Sequence, residues 1–341
     1  MTIELGPYLA AVPDPVAERI AGAREVLIVS HENPDADTLG AALGVARIVE
    51  FHGGRATTVC TDPVPHLYGF LAGVDATRTD PDPAVAYDLL VIVDCGTVDR
   101  VGAVGRRHAE LFERLPRVII DHHRSNPGSD GASVDWIEPD SAATCEMVAL
   151  LAVRLGVPLA AGDGALAAAL MAGVVMDTAT FAHPNATPRT LLVAAALLEA
   201  GAPLSEISHR LYRSKPDAQL RLFGRVLHRL EALDSGLVVW SSLLDADLAA
   251  TGTSPADSEG IIDLLSQAQG AEVAIIFKEA AGETRISVRT KPGGVDATVL
   301  TGVFGGGGHI RAAGATVAMP MEPARQAVLA EARRLAAAVV R

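Results

Sequence analysis

Continuous apolar runs, not alternating ones, mark the first half of the chain. Val26-Leu27-Ile28-Val29, Leu89-Leu90-Val91-Ile92-Val93 and Val118-Ile119-Ile120 are short and each is bounded by charged or turn residues. Such runs predict strands buried on both faces, as in a parallel sheet covered by helices. Strands are expected over Glu25 to Ser30, Ala56 to Cys60, Leu89 to Asp94 and Arg117 to Asp121. Leu39, Leu43, Ala46 and Val49 recur at helical spacing before Gly53-Gly54, predicting a helix from Ala36 to Phe51. Two more helical stretches run from Ala142 to Leu155 and from Gly164 to Met176, the second leading into Asp177. Strands alternating with helices define an α/β class with an N-terminal parallel-sheet domain, placed at residues 1–187.

From Pro188 to about Leu233 the pattern is helical and richer in Arg, which reads as a helical linker over 188–235. A smaller α/β domain is expected over 236–341, with strands at Leu237 to Ser242, Glu272 to Phe277 and Thr284 to Thr290. A helix from Ser258 to Gln269 lies between the first two, and an amphipathic helix from Pro323 to Val340 closes the chain. Near the end stand Gly305-Gly306-Gly307-Gly308-His309 and Ala312-Ala313-Gly314.

Composition narrows the picture modestly. With 49% hydrophobic and 20% charged residues over 341 positions, a folded protein with a large core is expected. A net charge of −13 argues against coating long nucleic acid through a basic surface, yet leaves a small nucleotide substrate open. No apolar run reaches the roughly 18–20 residues of a membrane span, so no membrane partner is expected. Met1 to Ala10 lacks the pattern of an export signal, which points to the cytoplasm. Cys60, Cys95 and Cys145 are widely spaced and read as buried free thiols of a reducing compartment.

The chemistry gathers where the strands end. His31-Glu32-Asn33-Pro34-Asp35-Ala36-Asp37 follows the first strand, Asp94 follows the third, and Asp121-His122-His123 follows the fourth. In an open parallel sheet, ligands bind beyond the carboxyl ends of the strands. Singly, each residue has an ordinary structural use. Asp35 or Asp37 would cap a helix, Asp94 would open a turn before Gly96, and His122 and His123 would sit on a polar loop. Three neighbouring strand ends with the same residue types instead describe one metal site. Asp and His favour hard or borderline divalent ions such as Mn, Mg, Fe or Zn. His31, Asp35, Asp37, Asp94, His122 and Asp177, with Asp121 and His123 close by, exceed what one ion with open positions needs. Two ions sharing a carboxylate is the arrangement that hydrolyses phosphate esters, and Asp94 is the natural bridge.

These motifs, in this order, resemble those of the DHH phosphoesterase superfamily: His-x-Asn-Pro-Asp-x-Asp from His31, a strand ending in Asp94, the Asp121-His122-His123 triplet, and Met176-Asp177-Thr178. The glycine run before His309 and the later Ala-Ala-Gly resemble the DHH-associated domain of one branch. The likeness extends from about residue 20 to 320. It implies one ion at His31, Asp35 and Asp94 and a second at Asp37, Asp94, His122 and Asp177. It also implies Mn2+, two per chain, with Mg2+ or another divalent ion as substitute, and a bridging water or hydroxide as nucleophile. His123 would contact the phosphate or leaving group, and Asp121 would orient a neighbour.

The second domain would supply substrate contacts. Four glycines let a backbone approach a ligand and expose amides to an anion, though alone such a run reads as a flexible loop; the resemblance makes Gly306, Gly307 and Gly308 with His309 a nucleotide-gripping loop. Arg285, Ser287 and Arg289 share one face of a period-two strand. The resemblance turns that strand toward the substrate phosphate, with Arg289 foremost because a guanidinium suits bidentate contact. The compact two-domain form resembles the nano-RNase and pAp phosphatase branch. That implies short oligoribonucleotides and 3′-phosphoadenosine-5′-phosphate (pAp) as substrates, with cyclic di-AMP or pApA as further ones, and a homodimer; long duplex nucleic acid is not expected. The rivals are an inorganic pyrophosphatase or polyphosphatase, disfavoured by the glycine–histidine motif, and a non-catalytic nucleotide-binding regulator, which has no need of six metal-type side chains.

Overall fold

The structure, a computed structural model, describes residues 3–129, 131, 133–233 and 236–339. The chain divides into two compact units, Met1–Ser214 and Lys215–Arg341.

In the first unit, strands β1 (Glu25–Val29), β2 (Arg55–Val59), β3 (Leu89–Val93), β4 (Arg117–Asp121) and β5 (Ser133–Ile137) form one sheet in the order β2-β1-β3-β4-β5. All four pairings are parallel. The chain winds outward from β1 to β2 and then returns past β1 to β3, so the winding reverses between β1 and β3. That reversal is where an open α/β sheet leaves a crevice at its carboxyl edge. The helices are α1 (Asp14–Gly22), α2 (Ala36–Phe51), α3 (Ala103–Arg107), α4 (Ala109–Arg114), α5 (Thr144–Arg154), α6 (Ala165–Asp177), α7 (Pro188–Glu199) and α8 (Leu204–Tyr212).

Alternate strand residues feed two cores, which is why these strands read as continuous apolar runs. Val26, Ile28, Val91, Val93, Val118 and Ile120 pack with the side carrying α2, α5 and α6. Leu27, Val29, Leu90, Ile92 and Ile119 pack with Val104 of α3 and Phe112 of α4. Helix α6 is buried almost all round, as expected of an apolar helix inside a core. It lies against α2 at backbone distance: a Cβ added at Gly40 of α2 would meet the Ala169 carbonyl oxygen at 2.4 Å.

Strand β5 has no counterpart among the expected strands. Ser133 and Asp135 interrupt its apolar positions and it lies at the sheet edge, so the continuous-run signal is absent. The stretch 188–235, which reads as a connector, is shared between the two units. Val193 and Leu197 of α7 and Ile207 and Leu211 of α8 join the first core. Beyond Ser214, Leu222, Phe223 and Val226 of α9 (Asp217–His228) join a core of the second unit. No single helix among the described residues is long and apolar enough to cross a membrane.

The second unit holds β6 (Glu231–Leu233), β7 (Val238–Leu243), β8 (Val273–Ala280), β9 (Glu283–Thr290), β10 (Gly307–His309) and β11 (Ala312–Val317), in the order β10-β11-β9-β8-β7-β6. Only β7 and β8 run parallel. Its remaining helices are α10 (Asp245–Thr251), α11 (Ile261–Leu265), α12 (Ala297–Gly302) and α13 (Met321–Val339). On one face, Trp240, Phe277, Ile286 and Val288 meet Ala324, Val328 and Ala332 of α13. On the other, Val239, Ala274 and Ile276 meet α9 and α11. The β9–β11 half of that second face is partly open, with Ser287, Arg289 and Gly314 half-buried and Arg285 and Thr316 exposed.

Two expectations change here. The helix read over 258–269 is a short 3-10 turn, Pro255–Ser258, followed by α11, because Gly260 at φ +84° breaks the spiral between them. The glycine run is not a free loop. Gly307–His309 pairs antiparallel with Ala312–Gly314 as the edge strand of the sheet.

Candidate metal centre

Each strand end delivers its side chain through a distinct local device. After β1, the His31 imidazole Nδ1–H donates to the Glu32 carbonyl at 2.7 Å. A carbonyl only accepts, so Nε2 is the nitrogen turned to the carboxylates, 3.8 Å from Asp35 Oδ2 and 3.5 Å from Asp94 Oδ2. Asp35 is the N-cap of α2: its Oδ1 accepts from the Asp37 and Thr38 amides at 2.9 and 3.1 Å. The oxygen that caps the helix and the oxygen that faces His31 are therefore different oxygens of one carboxylate.

Asp37, in the first turn of α2, is fully buried. Its two oxygens accept the Thr144 and Cys145 amides at 2.7 and 2.9 Å, so it closes the first turn of α5. Gly173 of α6 makes room for it, since a Cβ there would come within 2.4 Å of Asp37 Oδ1. Asp94 follows β3 in the left-handed region at φ +56°, a conformation Asp tolerates better than most residues. Its Oδ2 faces His31. Its Oδ1 accepts from the Thr144 hydroxyl at 2.9 Å and lies 3.5 Å from His122 Nε2. His122 Nδ1–H donates to the Ser141 carbonyl at 3.2 Å, which turns Nε2 to Asp177 Oδ2 at 3.1 Å and Asp37 Oδ2 at 3.9 Å.

The donor atoms fall into three groups that could each hold a cation: His31, Asp35 and Asp94; Asp37, His122 and Asp177; and Asp94, His122 and His123. All six residues read from the sequence as ligands are brought together. His123 lies beside them, with Nδ1 3.6 Å from Asp94 Oδ1. Asp121 does not. Buried at the end of β4, it spends Oδ1 on His123 Nδ1–H at 2.7 Å and Oδ2 on the Asn126 amide at 2.7 Å, which orients the His123 ring.

The electrostatics match a cation-binding cluster. Burial, then the nearby Asp94 charge, push the Asp35 carboxyl up to about 6, and the same causes with Asp177 push Asp37 well up. Burial opposes charging His31, yet the Asp94 hydrogen bond and the Asp35 and Asp94 charges carry it up to about 9. His122 is raised in the same way, against burial, by Asp177, Asp94 and Asp37. Burial also works against the Asp94 carboxylate, but His31, His122 and His123 hold it well below the usual range. The crowding thus favours protons on Asp35, Asp37, His31 and His122, the positive charge that a divalent ion replaces. The donor set of carboxylate oxygens and imidazole nitrogens fits such an ion. Cys60, Cys95 and Cys145 are free and buried; burial raises all three thiols, which keeps them out of the donor set.

Sequence reasoning missed the scaffold behind this site. Glu146 of α5, fully buried, accepts from Arg189 Nε at 2.5 Å, the Thr190 hydroxyl at 2.8 Å and the Ala142 amide at 3.2 Å. Arg189 also pairs with Glu138. This bridge pins residues 138–146, the segment that presents the Ser141 carbonyl and Thr144. A lone acid inside an apolar helix was the available signal, and it required a cationic partner that sequence spacing does not identify.

In the second unit, Arg285, Ser287 and Arg289 share one face of β9, opposite the buried Thr284, Ile286 and Val288. Arg289 Nε pairs with Asp263 at 2.8 Å. Gly314 lies directly opposite Ser287, so no side chain rises beside it on β11. A Cβ at Gly306 would meet the Gly314 carbonyl oxygen at 2.2 Å, and one at Gly308, which sits at φ +142°, would meet the Ala312 carbonyl oxygen at 2.6 Å. A Cβ at Gly307 would meet nothing within 4 Å. Gly306 and Gly308 are therefore needed for the hairpin, and Gly307 leaves open surface. The His309 side chain lies outside the described residues.

A parallel sheet with Asp and His at its switch point, followed by an α/β unit with an open glycine-lined half-face, defines a phosphoester hydrolase of two parts. The chain belongs to the DHH family: the family's N-terminal domain matches residues 25–176 and the DHHA1 domain matches residues 240–338. It is 32% identical over 90% of its length to a bifunctional oligoribonuclease and PAP phosphatase NrnA from Thermus thermophilus, covering 89% of that protein. A Bacillus subtilis protein of the same name is 24% identical over 86% of this chain and 89% of its own. An exopolyphosphatase-related protein from Bacteroides fragilis shares the fold, with a TM-score of 0.87, 20% identity, and coverage of 97% of this chain and 98% of that one.

Proposed function

We propose that this protein hydrolyses short oligoribonucleotides and pAp at a two-metal centre, and that cyclic di-AMP or its linear product pApA is a further substrate. The observation that carries the reading is the split of the Asp94 carboxylate, with Oδ2 facing His31 and Oδ1 facing His122. His31, Asp35 and Asp94 would hold one ion, and Asp37, Asp94, His122 and Asp177 the other. Two such ions, Mn2+ by preference and Mg2+ as substitute, supply an activated water and neutralise charge developing on the phosphoryl group.

The remaining work falls to the chain itself. Thr144 fixes the Asp94 oxygen shared with His122, and the α5 amides fix both Asp37 oxygens. The Asp121 carboxylate holds His123 so that its ring meets the scissile phosphate or the leaving oxygen. Arg285, Ser287 and Arg289, with the amides of Gly306, Gly307 and Gly308 and with His309, would bind the nucleotide phosphate. The names and coverage of the relatives support this substrate class. A cytoplasmic homodimer completes the proposal.

The test is a product assay in Mn2+ comparing pAp, a 5′-labelled RNA dinucleotide, cyclic di-AMP and pyrophosphate, with metal content measured in parallel. The expected result is about two ions per chain, turnover of pAp and the dinucleotide, and none of pyrophosphate. Turnover of pyrophosphate alone would overturn the nucleotide reading. Binding of nucleotides without turnover in a fully metallated protein would make it a regulator.

A further inference from the structure

We propose that Arg100 is a substrate-binding residue of the first unit, its guanidinium taking a phosphate oxygen of the nucleotide beside the metal centre. The inference rests on the function proposed above and adds a phosphate contact outside the second unit. Eight arginines among the described residues are half-buried. Arg47, Arg117, Arg189, Arg229, Arg289 and Arg325 each donate to a carboxylate or a backbone carbonyl. The side chains of Arg100 and Arg311 make no hydrogen bond or ion pair among the described residues. Arg311 Nη1 is sealed from solvent, whereas all three Arg100 nitrogens keep accessible surface. Arg100 is therefore the half-buried guanidinium open to a ligand.

Its place in the fold is the crevice itself. Arg100 belongs to the 3-10 turn Val98–Val101, on the loop that follows β3 and Asp94. The Glu32 amide, on the loop after β1, donates to the Arg100 carbonyl at 2.8 Å. The Glu32 carbonyl in turn accepts His31 Nδ1–H at 2.7 Å, so one residue joins the Arg100 backbone to the His31 ring. β1 and β3 are the strands between which the winding reverses, where an open α/β sheet binds its ligand. The Arg100 charge also reaches the Cys95 thiol, next to Asp94, where it acts together with the Asp94 and Asp121 charges.

The missing partner is not for want of acids. The chain has 41 acidic residues against 28 basic ones, and Asp99 and Glu32 stand on the two loops that meet here. Neither pairs with Arg100. The Glu32 carboxylate lies against Gly102, where an added Cβ would meet its Oε2 at 2.9 Å, and Asp62 accepts the Asn33 amide at 2.7 Å. A guanidinium only donates, through a planar fork that matches two oxygens of a phosphate. With the site carboxylates committed to cations, the acceptor that comes to this crevice is the substrate phosphate. Held there, the Arg100 charge orients a nonbridging oxygen and offsets negative charge on the phosphoryl group.

Calorimetric binding of AMP to the Mn2+-loaded chain, with adenosine as the phosphate-free probe, separates this contact from those to base and sugar. Arg100→Gln should weaken AMP binding about 10–100-fold, the range for a hydrogen bond to a charged group. Adenosine binding, Mn2+ content and Tm should stay at the parent's values, because the side chain gives up no protein partner. In turnover, KM for pAp should rise by a similar factor with kcat less affected. Arg100→Lys, which keeps the charge without the fork, should fall between parent and Arg100→Gln. Parental AMP affinity in Arg100→Gln, an equal loss of adenosine binding, or a fall in Mn2+ content or Tm would overturn the assignment while leaving the nucleotide reading standing. A parent chain that neither binds AMP nor turns over pAp would overturn both.

Discussion

In the first unit, Asp37, Asp94 and Asp121 are 0%, 2% and 0% exposed, and every one of their oxygens faces a backbone amide, a hydroxyl, a side-chain amide or an imidazole. In the second unit, the residues proposed to meet substrate stand on a half-open sheet face where β11 offers Ala312 and Gly314 as neighbours. One region fixes side chains by packing and redundant hydrogen bonds. The other removes side chains so that backbone and two arginines remain. The difference suits a division of labour, in which reacting groups tolerate little displacement and a recognition face must admit more than one nucleotide.

Breaking the first region should have the largest effect. Asp94→Asn keeps the shape but removes the charge that both donor groups share. Turnover of pAp and of the RNA dinucleotide should fall by more than the roughly 10–100-fold expected for loss of an outer partner, and the metal content should drop below the parent's. Near-parental turnover with full metal content would dismiss Asp94 as the bridge.

The next effect is one of pH. The folded, metal-free site binds extra protons on Asp35, raised to about 6, and on His31, raised to about 9. These must leave when a cation enters, so metal affinity rises with pH and falls as pH drops. His31 alone should cost about tenfold per pH unit below 9, with Asp35 steepening the fall below 6. Calorimetric titration with Mn2+ at several pH values reads this slope, and a flat profile would contradict it.

The scaffold behind the site comes third. Glu146→Gln or Arg189→Met breaks a buried pair and frees the 138–146 segment. Activity should fall about 10–100-fold through weaker metal binding; Arg189→Met, which leaves the buried Glu146 charge alone, should cost about 3–5 kcal/mol in stability, and Glu146→Gln, which leaves Arg189 its pair with Glu138, should cost less. Excess Mn2+ should partly restore activity to either variant but not to Asp94→Asn. Equal rescue of all three would erase the distinction between ligand and support.

The sequence was legible where one residue answers to one local rule. His31, Asp35, Asp94 and His122 stand at strand ends marked by apolar runs, and their convergence follows from a parallel sheet alone. Asp35 shows why single-residue reasoning stalls, since capping and ligation compete for it in sequence, whereas in space one oxygen caps the helix and the other is left facing His31. Thr144, Glu146 and Arg189 were not legible. Thr144 meets Asp94 across 50 residues and Arg189 meets Glu146 across 43, and no periodicity encodes such pairings. Strand β5 and the 3-10 turn before Gly260 were missed for a different reason: edge position and one left-handed glycine override the apolar pattern.

The smallest effect tests the open face of the second unit. Gly307 and Gly308 are neighbours in one strand, yet they answer to different constraints. At Gly308 a methyl group meets the Ala312 carbonyl at 2.6 Å and the backbone sits at φ +142°, so Gly308→Ala should destabilise the unit by about 1–3 kcal/mol. At Gly307 a methyl group meets nothing within 4 Å, so Gly307→Ala should leave Tm within a degree or two of the parent. The methyl would then stand on the surface offered to substrate. If the glycine strand grips the nucleotide by close backbone approach, Gly307→Ala raises KM several-fold for pAp with kcat nearly unchanged, the signature of lost uniform binding. An unchanged KM would remove Gly307 from the substrate face and leave the glycine run explained by hairpin packing alone.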